Sequence, residues 1–241
     1  MIPKELMILA GGSGTRIRES IPGLPKALAP VGNKPFIDHL IRFYLDQGLE
    51  RFVFCLGIYQ DQVIDHLESA FPNLDRIYVC ESEPLGTGGA IRNGLGHCIS
   101  NTVLAVNGDT YYAIELAKAS AFHHMCGAEC TLLLKHLDNT ERYGRVELGK
   151  DYRVTGFIEK GISGEGLINA GAYLLNKRMF LANDLPLKFS FEKEYLEKYF
   201  INNRIYGLKQ DRFFLDIGIP EDLVKAQTDI IAYESRMDQP N

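Results

Sequence analysis

The first half of the chain alternates between short apolar runs and segments with helical spacing. In the apolar runs hydrophobic residues follow one another, as in strands buried on both faces; these runs are 5–10, 51–58, 76–82 and 102–109. Between them, apolar residues recur every three or four positions, which predicts helices over 35–48, 61–71, 88–98 and 115–127, with Asp61 as the N-cap of the second. This alternation predicts a parallel sheet covered on both faces.

The second half has mostly strand patterns with few helical ones. Strands are predicted over 129–137, 144–149, 153–160, 167–176 and 204–218, and helices over 191–203 and 220–236. Pro220 is well placed in the first turn of the last helix. We expect these strands to have antiparallel character, to continue the same sheet and to add a lobe over it. The fold class is therefore α/β, and 241 residues fit one domain.

Composition narrows the classes of partner. The formal net charge of −5 argues against a nucleic-acid-binding protein, and no apolar run reaches the length of a membrane span. The five cysteines are odd in number and lie in apolar segments, which indicates reduced thiols in a cytoplasmic protein. We expect small-molecule partners, no nucleic acid and no membrane, and a homo-oligomer stays open.

A glycine-rich loop, GGSGTR at 11–16, follows the first predicted strand. It lacks the Gly-Lys-Ser/Thr of a Walker A loop, and Ile17 stands where a dinucleotide-binding loop has its third glycine. Glycines expose backbone N–H groups to an anion, Arg16 adds a fork for phosphate oxygens, and Lys26 adds a compact charge. The alternative is a tight turn with two solvated cations, and the joint presence of Arg16 and Lys26 favours the phosphate site.

The motifs, taken together, resemble the sugar nucleotidyltransferase family. Its opening signature is Gly-Gly-x-Gly-Thr-Arg, a spacer and Pro-Lys, which GGSGTR and LPKAL match. EPLGTGGAI, NGD, RYGRV, FIEK, INAGAYLL and FLDIGIPEDL then follow in the family's order. The resemblance implies a Rossmann-like nucleotidyltransferase fold, a mostly parallel mixed sheet flanked by helices with a small sugar-binding lobe. It divides the single domain 1–241 into a nucleotide-binding half, 1–125, and a sugar-binding half with the C-terminal helix, 126–241.

The family joins a nucleoside triphosphate to a sugar 1-phosphate, whose oxygen attacks the α-phosphorus and releases pyrophosphate. By resemblance, the catalytic residues are Arg16, Lys26 and Asp109, and Asp109 and Asp216 bind Mg²⁺. The residues implied to bind the nucleotide are Leu9, Ala10, Gly11, Gly12, Ser13, Gly14, Thr15, Glu81, Pro84, Gly86, Thr87 and Gly108. Those implied to bind the sugar phosphate are Gly144, Glu159, Lys160 and Asn169, with Lys160 on the phosphate and Glu159 and Asn169 accepting hydrogen bonds from sugar hydroxyls.

The base and the sugar are predicted more narrowly. Relatives often have glutamine where this chain has Glu81, and a carboxylate, which only accepts hydrogen bonds, suits the adjacent N–H donors of guanine. Glu83 is the alternative contact, and a solvated loop acid is the alternative reading of Glu81. RYGRV, GLINAGAYLL, FSFEKEYL and LDIGIPEDL resemble bacterial D-glycero-α-D-manno-heptose 1-phosphate guanylyltransferases, whose product feeds surface polysaccharides such as lipopolysaccharide or capsule.

Several alternatives stay open at this point. Subfamilies that use mannose 1-phosphate, glucose 1-phosphate or another hexose 1-phosphate, with uridylyl, cytidylyl or thymidylyl transfer, share much of the pattern. Some relatives only bind nucleotide-sugars, but they tend to lose the charged residues that this chain keeps. A nicotinamide-dependent oxidoreductase is disfavoured because the third glycine of its loop is missing.

Overall fold

The computed structural model describes residues 2–12, 14, 17 and 19–237. In the first half it has the predicted strand–helix alternation, with two short strands and a 3₁₀ turn, Lys26–Leu28, inserted after the glycine loop. The elements are β1 (Glu5–Ala10), β2 (Pro30–Val31), β3 (Lys34–Pro35), α1 (Phe36–Asp46), β4 (Arg51–Leu56), α2 (Gln60–Ala70), β5 (Asp75–Cys80), α3 (Gly86–His97), β6 (Thr102–Asn107), β7 (Thr110–Tyr112) and α4 (Leu116–Met125).

The second half supplies mostly strands, as predicted. Its elements are β8 (Cys130–Leu137), β9 (Arg145–Leu148), β10 (Val154–Ile158), β11 (Gly166–Asn176), α5 (Lys177–Leu181), a π-helical turn (Phe191–Leu196), α6 (Glu197–Tyr199), β12 (Ile205–Lys209), β13 (Phe214–Asp216) and α7 (Pro220–Met237). None of the helices in the described part of the chain is long and apolar enough to cross a bilayer.

One nine-stranded sheet joins the two halves. Strands β5, β4, β1 and β6 run parallel in that order, and β11 pairs antiparallel with β6. Strand β8 pairs with β11 and with β12, while the β9–β10 hairpin meets β11 where Ile168 faces Arg145. The second half therefore continues the same sheet with antiparallel strands, and the β9–β10 hairpin forms one end of it.

Three of the sequence-based predictions are wrong in detail. The N-cap of α2 is Tyr59, so Asp61 lies inside the first turn, where its negative charge interacts favourably with the helix dipole. The run 204–218 forms two strands, because the chain leaves the β8 edge at Gln210 and crosses to β7. The side chain of Gln210 anchors this corner through both backbone groups of Glu115. The helix predicted over 191–203 ends at Tyr199 and begins as a π-helical turn.

The C-terminal helix α7 is bound to the first half of the chain. The imidazole of His39, which is fully buried, lies 2.8 Å from Glu234 and 3.1 Å from the carbonyl of Val31 through its two ring nitrogens. Gln227 accepts a hydrogen bond from the backbone N–H of Gly32 and donates one to the carbonyl of Pro30. These contacts bring the last helix against the segment that follows the glycine loop.

A cover segment, residues 185–190, lies across the start of α3. The carbonyl of Phe189 accepts hydrogen bonds from the N–H groups of Gly88 and Gly89, at 3.0 and 3.4 Å, and the Phe189 N–H donates to the carbonyl of Leu85. Arg92 donates to the carbonyls at the start of the segment. The N–H groups of Gly88 and Gly89 in the first turn of α3 are therefore already bonded to protein and are not free for a ligand.

Candidate active site

Four loops meet at the carboxyl edge of the parallel strands, which is where ligands bind in sheets of this kind. The N–H of Gly108, after β6, donates to the carbonyl of Leu9 in β1. On the other side of β1, a Cβ added to Gly57, after β4, would lie 2.4 Å from the carbonyl oxygen of Gly11. The N–H of Glu81, after β5, donates to the carbonyl of Leu56. The glycine loop therefore lies between the loops of Gly108 and Gly57, and a Cβ added to Gly11 would lie 3.8 Å from Oε2 of Glu81.

Lys26 and Asp109 form a partly buried ion pair beside the glycine loop. Lys26 Nζ lies 2.8 Å from Asp109 Oδ2, and the two side chains are only 14% and 30% exposed. The aliphatic stem of Lys26 runs next to Gly14, whose φ of +60° is in the left-handed region. Ser13, Thr15 and Arg16 lie outside the described residues, so their predicted roles stay predictions.

The two predicted metal ligands come together through a short antiparallel ladder. Strand β7 pairs with β13 so that Asp216 faces Thr110, and the N–H of Ile217 donates to the carbonyl of Asp109 at 3.0 Å. Burial, and then the neighbouring charge of Asp109, raise the pKa of the Asp216 carboxyl. The N–H of Gly218 donates to Asp216 Oδ1 at 2.7 Å and so favours the ionised form.

This pair of carboxylates suits a divalent cation that brings other ligands with it. Burial contributes most to the raised pKa of Asp216, and repulsion by the like charge of Asp109 adds to it. A bound cation would relieve that repulsion. The described residues contain no group of three or more His, Cys, Asp or Glu side chains arranged for a metal. Mg²⁺ fits such a site because it commonly takes one or two protein carboxylates and completes its octahedron with phosphate and water.

Glu81 occupies the start of the loop that leads into α3. Its Oε2 accepts a hydrogen bond from the N–H of Leu85 at 3.1 Å, which leaves Oε1 without a hydrogen bond among the described residues. Burial raises the pKa of the Glu81 carboxyl, against the effect of that hydrogen bond. Pro84 on this loop, and Gly86 and Thr87 at the start of α3, are exposed. A free acceptor thus stands beside an open surface.

A cavity of about 720 Å³ lies in the half of the chain predicted to bind the sugar, and we call it the sugar cavity. Its volume is in the range of small-molecule pockets. All four residues predicted to bind the sugar phosphate line it: Gly144, Glu159, Lys160 and Asn169. They come from different strands and loops, so the fold gathers them around one cavity.

The Asn169 amide has a fixed orientation in this cavity. Its Oδ1 accepts the N–H of Gly171 at 3.1 Å, and its Nδ2 donates to the hydroxyl of buried Tyr173 at 2.8 Å. These contacts occur at an irregularity in the β11–β8 ladder between Asn169 and Ala172. One N–H and one lone pair of Oδ1 are left for a ligand, so Asn169 can donate to a sugar oxygen, and its predicted role as an acceptor stays a prediction.

Tyr143 lies where the cavity adjoins the two aspartates. It lines the cavity, its ring meets Phe214 edge-on, and burial together with the charge of Asp216 raises its pKa to about 12. Arg142 stacks over the same ring and pairs with buried Asp222. The cavity and the Lys26–Asp109–Asp216 cluster are therefore neighbours, as transfer between two bound substrates requires.

The opposite wall of the cavity was not predicted from the sequence. It is formed by the π-helical turn and α6, and its residues are Glu192, Lys193, Leu196, Glu197 and Phe200. A π-helical turn is rare and frequently marks a functional site. In the sequence, FEKEYLEKYF has the spacing of an ordinary amphipathic helix, and only the FSFEKEYL motif quoted for the resemblance covers part of it.

The fold and these two adjoining sites define a class of protein. The profile of the family described as "Nucleotidyl transferase" matches residues 5–232, so this chain belongs to the nucleotidyl transferase family of enzymes. The resemblance deduced from the motifs is thereby confirmed at the level of the family.

Particular relatives are similar along almost the whole chain. A D-glycero-α-D-manno-heptose 1-phosphate guanylyltransferase of Aneurinibacillus thermoaerophilus is 39% identical over 95% of this chain and 99% of its own length. A mannose-1-phosphate guanylyltransferase of Mycobacterium tuberculosis is 30% identical, over 94% of this chain and 64% of its own. The crystal structure of HddC from Yersinia pseudotuberculosis superposes with a TM-score of 0.84 at 34% identity, covering 94% of this chain and 98% of that one. A structure of the same HddC is described as complexed with GMP-PN.

Proposed function

We propose that this protein is a guanylyltransferase that joins GTP to D-glycero-α-D-manno-heptose 1-phosphate, giving a GDP-sugar and pyrophosphate. The observation that carries the proposal is the adjacency of the Lys26–Asp109–Asp216 cluster to a cavity lined by Lys160 and Asn169. The similarity to heptose 1-phosphate guanylyltransferases at 39% and 34% identity supports the choice of substrates. The product is an activated sugar, so a glycosyl transfer reaction would consume it.

The triphosphate would lie along the glycine loop, with its α-phosphate beside Lys26. Backbone N–H groups of that loop and the Lys26 ammonium would offset the negative charge of the triphosphate. The same charges would stabilise the charge that develops on the departing pyrophosphate. Arg16, which the resemblance places on the triphosphate, would add a fork of donors there.

The sugar 1-phosphate would occupy the cavity, with its phosphate oxygen aimed at the α-phosphorus. Lys160 would hold the phosphate, the free amide N–H of Asn169 would donate to a sugar oxygen, and Glu159 would accept from a hydroxyl. No covalent enzyme intermediate is needed, since the two substrates react directly once they are aligned. The protein contributes position and charge to this reaction, and the incoming phosphate is its own nucleophile.

Asp109 and Asp216 would hold Mg²⁺, which is the cation that the carboxylate pair fits best. When bound, Mg²⁺ supplies positive charge to phosphate oxygens during an in-line displacement. The β7–β13 ladder fixes the positions of the two carboxylates that would hold the ion. The ion pair with Lys26, at 2.8 Å, holds the Asp109 carboxylate beside the glycine loop.

Mannose 1-phosphate is the second candidate substrate. The mannose-1-phosphate guanylyltransferase of Mycobacterium tuberculosis is similar over 94% of this chain, though the chain spans only 64% of that protein. Both candidates share guanylyl transfer and differ only in the sugar. A uridylyl, cytidylyl or thymidylyl transferase is disfavoured by the carboxylate at Glu81.

The test is a matrix of four nucleoside triphosphates against several sugar 1-phosphates, with Mg²⁺ and a pyrophosphate-release assay. We expect the highest kcat/KM with GTP and D-glycero-α-D-manno-heptose 1-phosphate. A higher value with mannose 1-phosphate would select the second candidate, and a preference for UTP, CTP or dTTP would refute guanylyl transfer. Absence of pyrophosphate release with every pair would refute the enzyme assignment.

The Glu81→Gln substitution tests base recognition separately. The amide offers a donor where the carboxylate offers only acceptors, so it places an N–H opposite the N–H donors of guanine. We expect the ratio of kcat/KM for GTP over UTP to fall by about 10- to 100-fold, the usual range for a lost hydrogen bond to a charged group. Glu83→Gln is the control, because Glu83 is the alternative contact on the same loop. An unchanged ratio in Glu81→Gln would contradict the assignment.

A further inference from the structure

Arg145 is the first residue of β9 and lines the sugar cavity. The sequence alone predicts no role for it. Its backbone pairs with Ile158 of β10 on one side and with Ile168 of β11 on the other. Three strands therefore fix the position of its Cα at the edge of the cavity. A side chain that starts from so constrained a point can be placed accurately against a ligand.

Arg145 has no acidic partner in the described part of the chain. Among the residues that the structure describes, no carboxylate lies within salt-bridge distance of its guanidinium, whereas Arg51, Arg76, Arg142 and Arg212 all pair with acids. Its single hydrogen bond runs from Nη1 to the carbonyl of Glu165 at 3.3 Å, and its buried Nε has no acceptor. Unsatisfied buried donors are uncommon, and this one indicates an acceptor that a ligand would bring.

Two glycines make room for this arginine. A Cβ at Gly166 would come within 2.7 Å of Arg145 Cδ, and one at Gly164 would lie 3.4 Å from Nη1. The side chain therefore lies along the start of β11, with Nη1 bonded to the Glu165 carbonyl, and belongs to a residue that lines the cavity. The stem is supported by backbone, and the guanidinium is left free to turn toward a ligand.

The charges around the cavity are divided between its two walls. The strand wall carries Arg145, Lys160 and Glu159, a surplus of positive charge. The helical wall carries Glu192, Glu197 and Lys193, a surplus of negative charge. A ligand with an anionic end and a neutral end rich in hydroxyls would lie with its anion against the strand wall.

We propose that Arg145 binds the phosphate of the sugar 1-phosphate, as a second cation beside Lys160. The inference rests on the proposed function, since a sugar 1-phosphate must be the ligand of this cavity. A phosphate monoester carries up to two negative charges near neutral pH, more than one ammonium group neutralises. The guanidinium fork binds two phosphate oxygens at once, which a lysine cannot do.

The experiment compares Arg145→Gln with the wild type, using whichever sugar 1-phosphate the wild type accepts. We expect KM for the sugar 1-phosphate to rise by about 10- to 100-fold in Arg145→Gln, with KM for GTP within twofold of wild type. Arg145→Lys keeps the charge but loses the fork, so its KM for the sugar 1-phosphate should lie between those of the wild type and Arg145→Gln. The matched control is Arg178→Gln, which removes an exposed cation of α5 that does not line the cavity. Unchanged KM for the sugar 1-phosphate in Arg145→Gln would overturn the proposal.

Two further readouts separate phosphate binding from structural or hydroxyl-binding roles. At saturating GTP, inorganic phosphate should compete with the sugar 1-phosphate, and its inhibition constant should rise in Arg145→Gln in step with KM. If Arg145→Gln were inhibited less than the wild type by the free sugar but equally by phosphate, Arg145 would bind sugar hydroxyls, and the proposal would be overturned. Free guanidinium should partly restore the KM of Arg145→Ala, and a melting temperature lowered without rescue would indicate a structural role.

The failure of the proposed function and that of this inference remain distinguishable. If the wild type releases no pyrophosphate with any substrate pair, the proposed function fails. Calorimetric titration of wild type and Arg145→Gln with mannose 1-phosphate then tests Arg145 directly. Equal affinities, or no binding to the wild type, would overturn the inference, and weaker binding to Arg145→Gln alone would support it.

Discussion

Lys26→Ala should reduce kcat by about 10²- to 10³-fold while the protein stays folded. The expected size is that of losing one electrostatic group aimed at the charge of a transition state, about 2.7–4 kcal/mol. Lys26 is 14% exposed and its ammonium lies 2.8 Å from Asp109, so its removal also leaves Asp109 without its ion-pair partner. Steady-state pyrophosphate release, with circular dichroism to monitor folding, measures the effect.

Two further variants complete this experiment. Asp109→Asn should cause a loss of similar size, because it removes a proposed Mg²⁺ ligand and the partner of Lys26 together. Lys34→Ala is the control, since Lys34 Nζ lies 3.7 Å from Glu234 and lines neither the cavity nor the glycine loop. Turnover within fivefold of wild type in both Lys26→Ala and Asp109→Asn would contradict the mechanism.

Gly88→Ala should destabilise the protein by about 1–3 kcal/mol, the usual cost of overpacking a well-packed site. An added Cβ would lie only 2.2 Å from a ring carbon of Phe189, so the cover segment or the first turn of α3 must shift. We expect the melting temperature to fall by about 2–4 °C for each kcal/mol lost. Because the displaced turn follows Gly86 and Thr87, KM for GTP should rise as well. Differential scanning calorimetry and initial rates check the two effects.

The control lies in the same helix. Gly96 is exposed and a Cβ there would meet nothing within 4 Å, so Gly96→Ala should stabilise α3 by about 1 kcal/mol through helix propensity alone. The two variants make the same chemical change in one helix and should move the melting temperature in opposite directions. If Gly88→Ala were as stable as Gly96→Ala, the packing of Phe189 against the helix would be refuted.

The glycines of α3 also illustrate where sequence reasoning stops. From propensity alone, glycine-rich segment 88–98 predicts a short and weak helix, and the structure has a full helix from Gly86 to His97. The tertiary packing explains the difference, because Phe189 and Leu187 approach the first turn and Cys55 and Met7 approach Gly94. These partners come from distant parts of the chain, and periodicity contains no information about them.

The parallel half of the sheet was predictable because each of its strands is a continuous apolar run next to a helix. The placement of Asp109 and Asp216 in one cluster came from the resemblance alone, since the pairing of β7 with β13 joins segments of three residues each, too short to show a pattern. Arg145 was missed for a different reason: one arginine at the start of a strand looks like any surface cation. Only its unpaired guanidinium in a cavity sets it apart.

The β7–β13 ladder has a consequence for the protein during its synthesis. Asp109 emerges from the ribosome long before Asp216, and the two carboxylates meet only after β13 has docked on β7. A nascent chain that has folded its parallel strands therefore holds the glycine loop without the complete proposed metal site. On the proposed mechanism, such a chain would not turn a nucleotide over until β13 has been synthesised and has docked on β7.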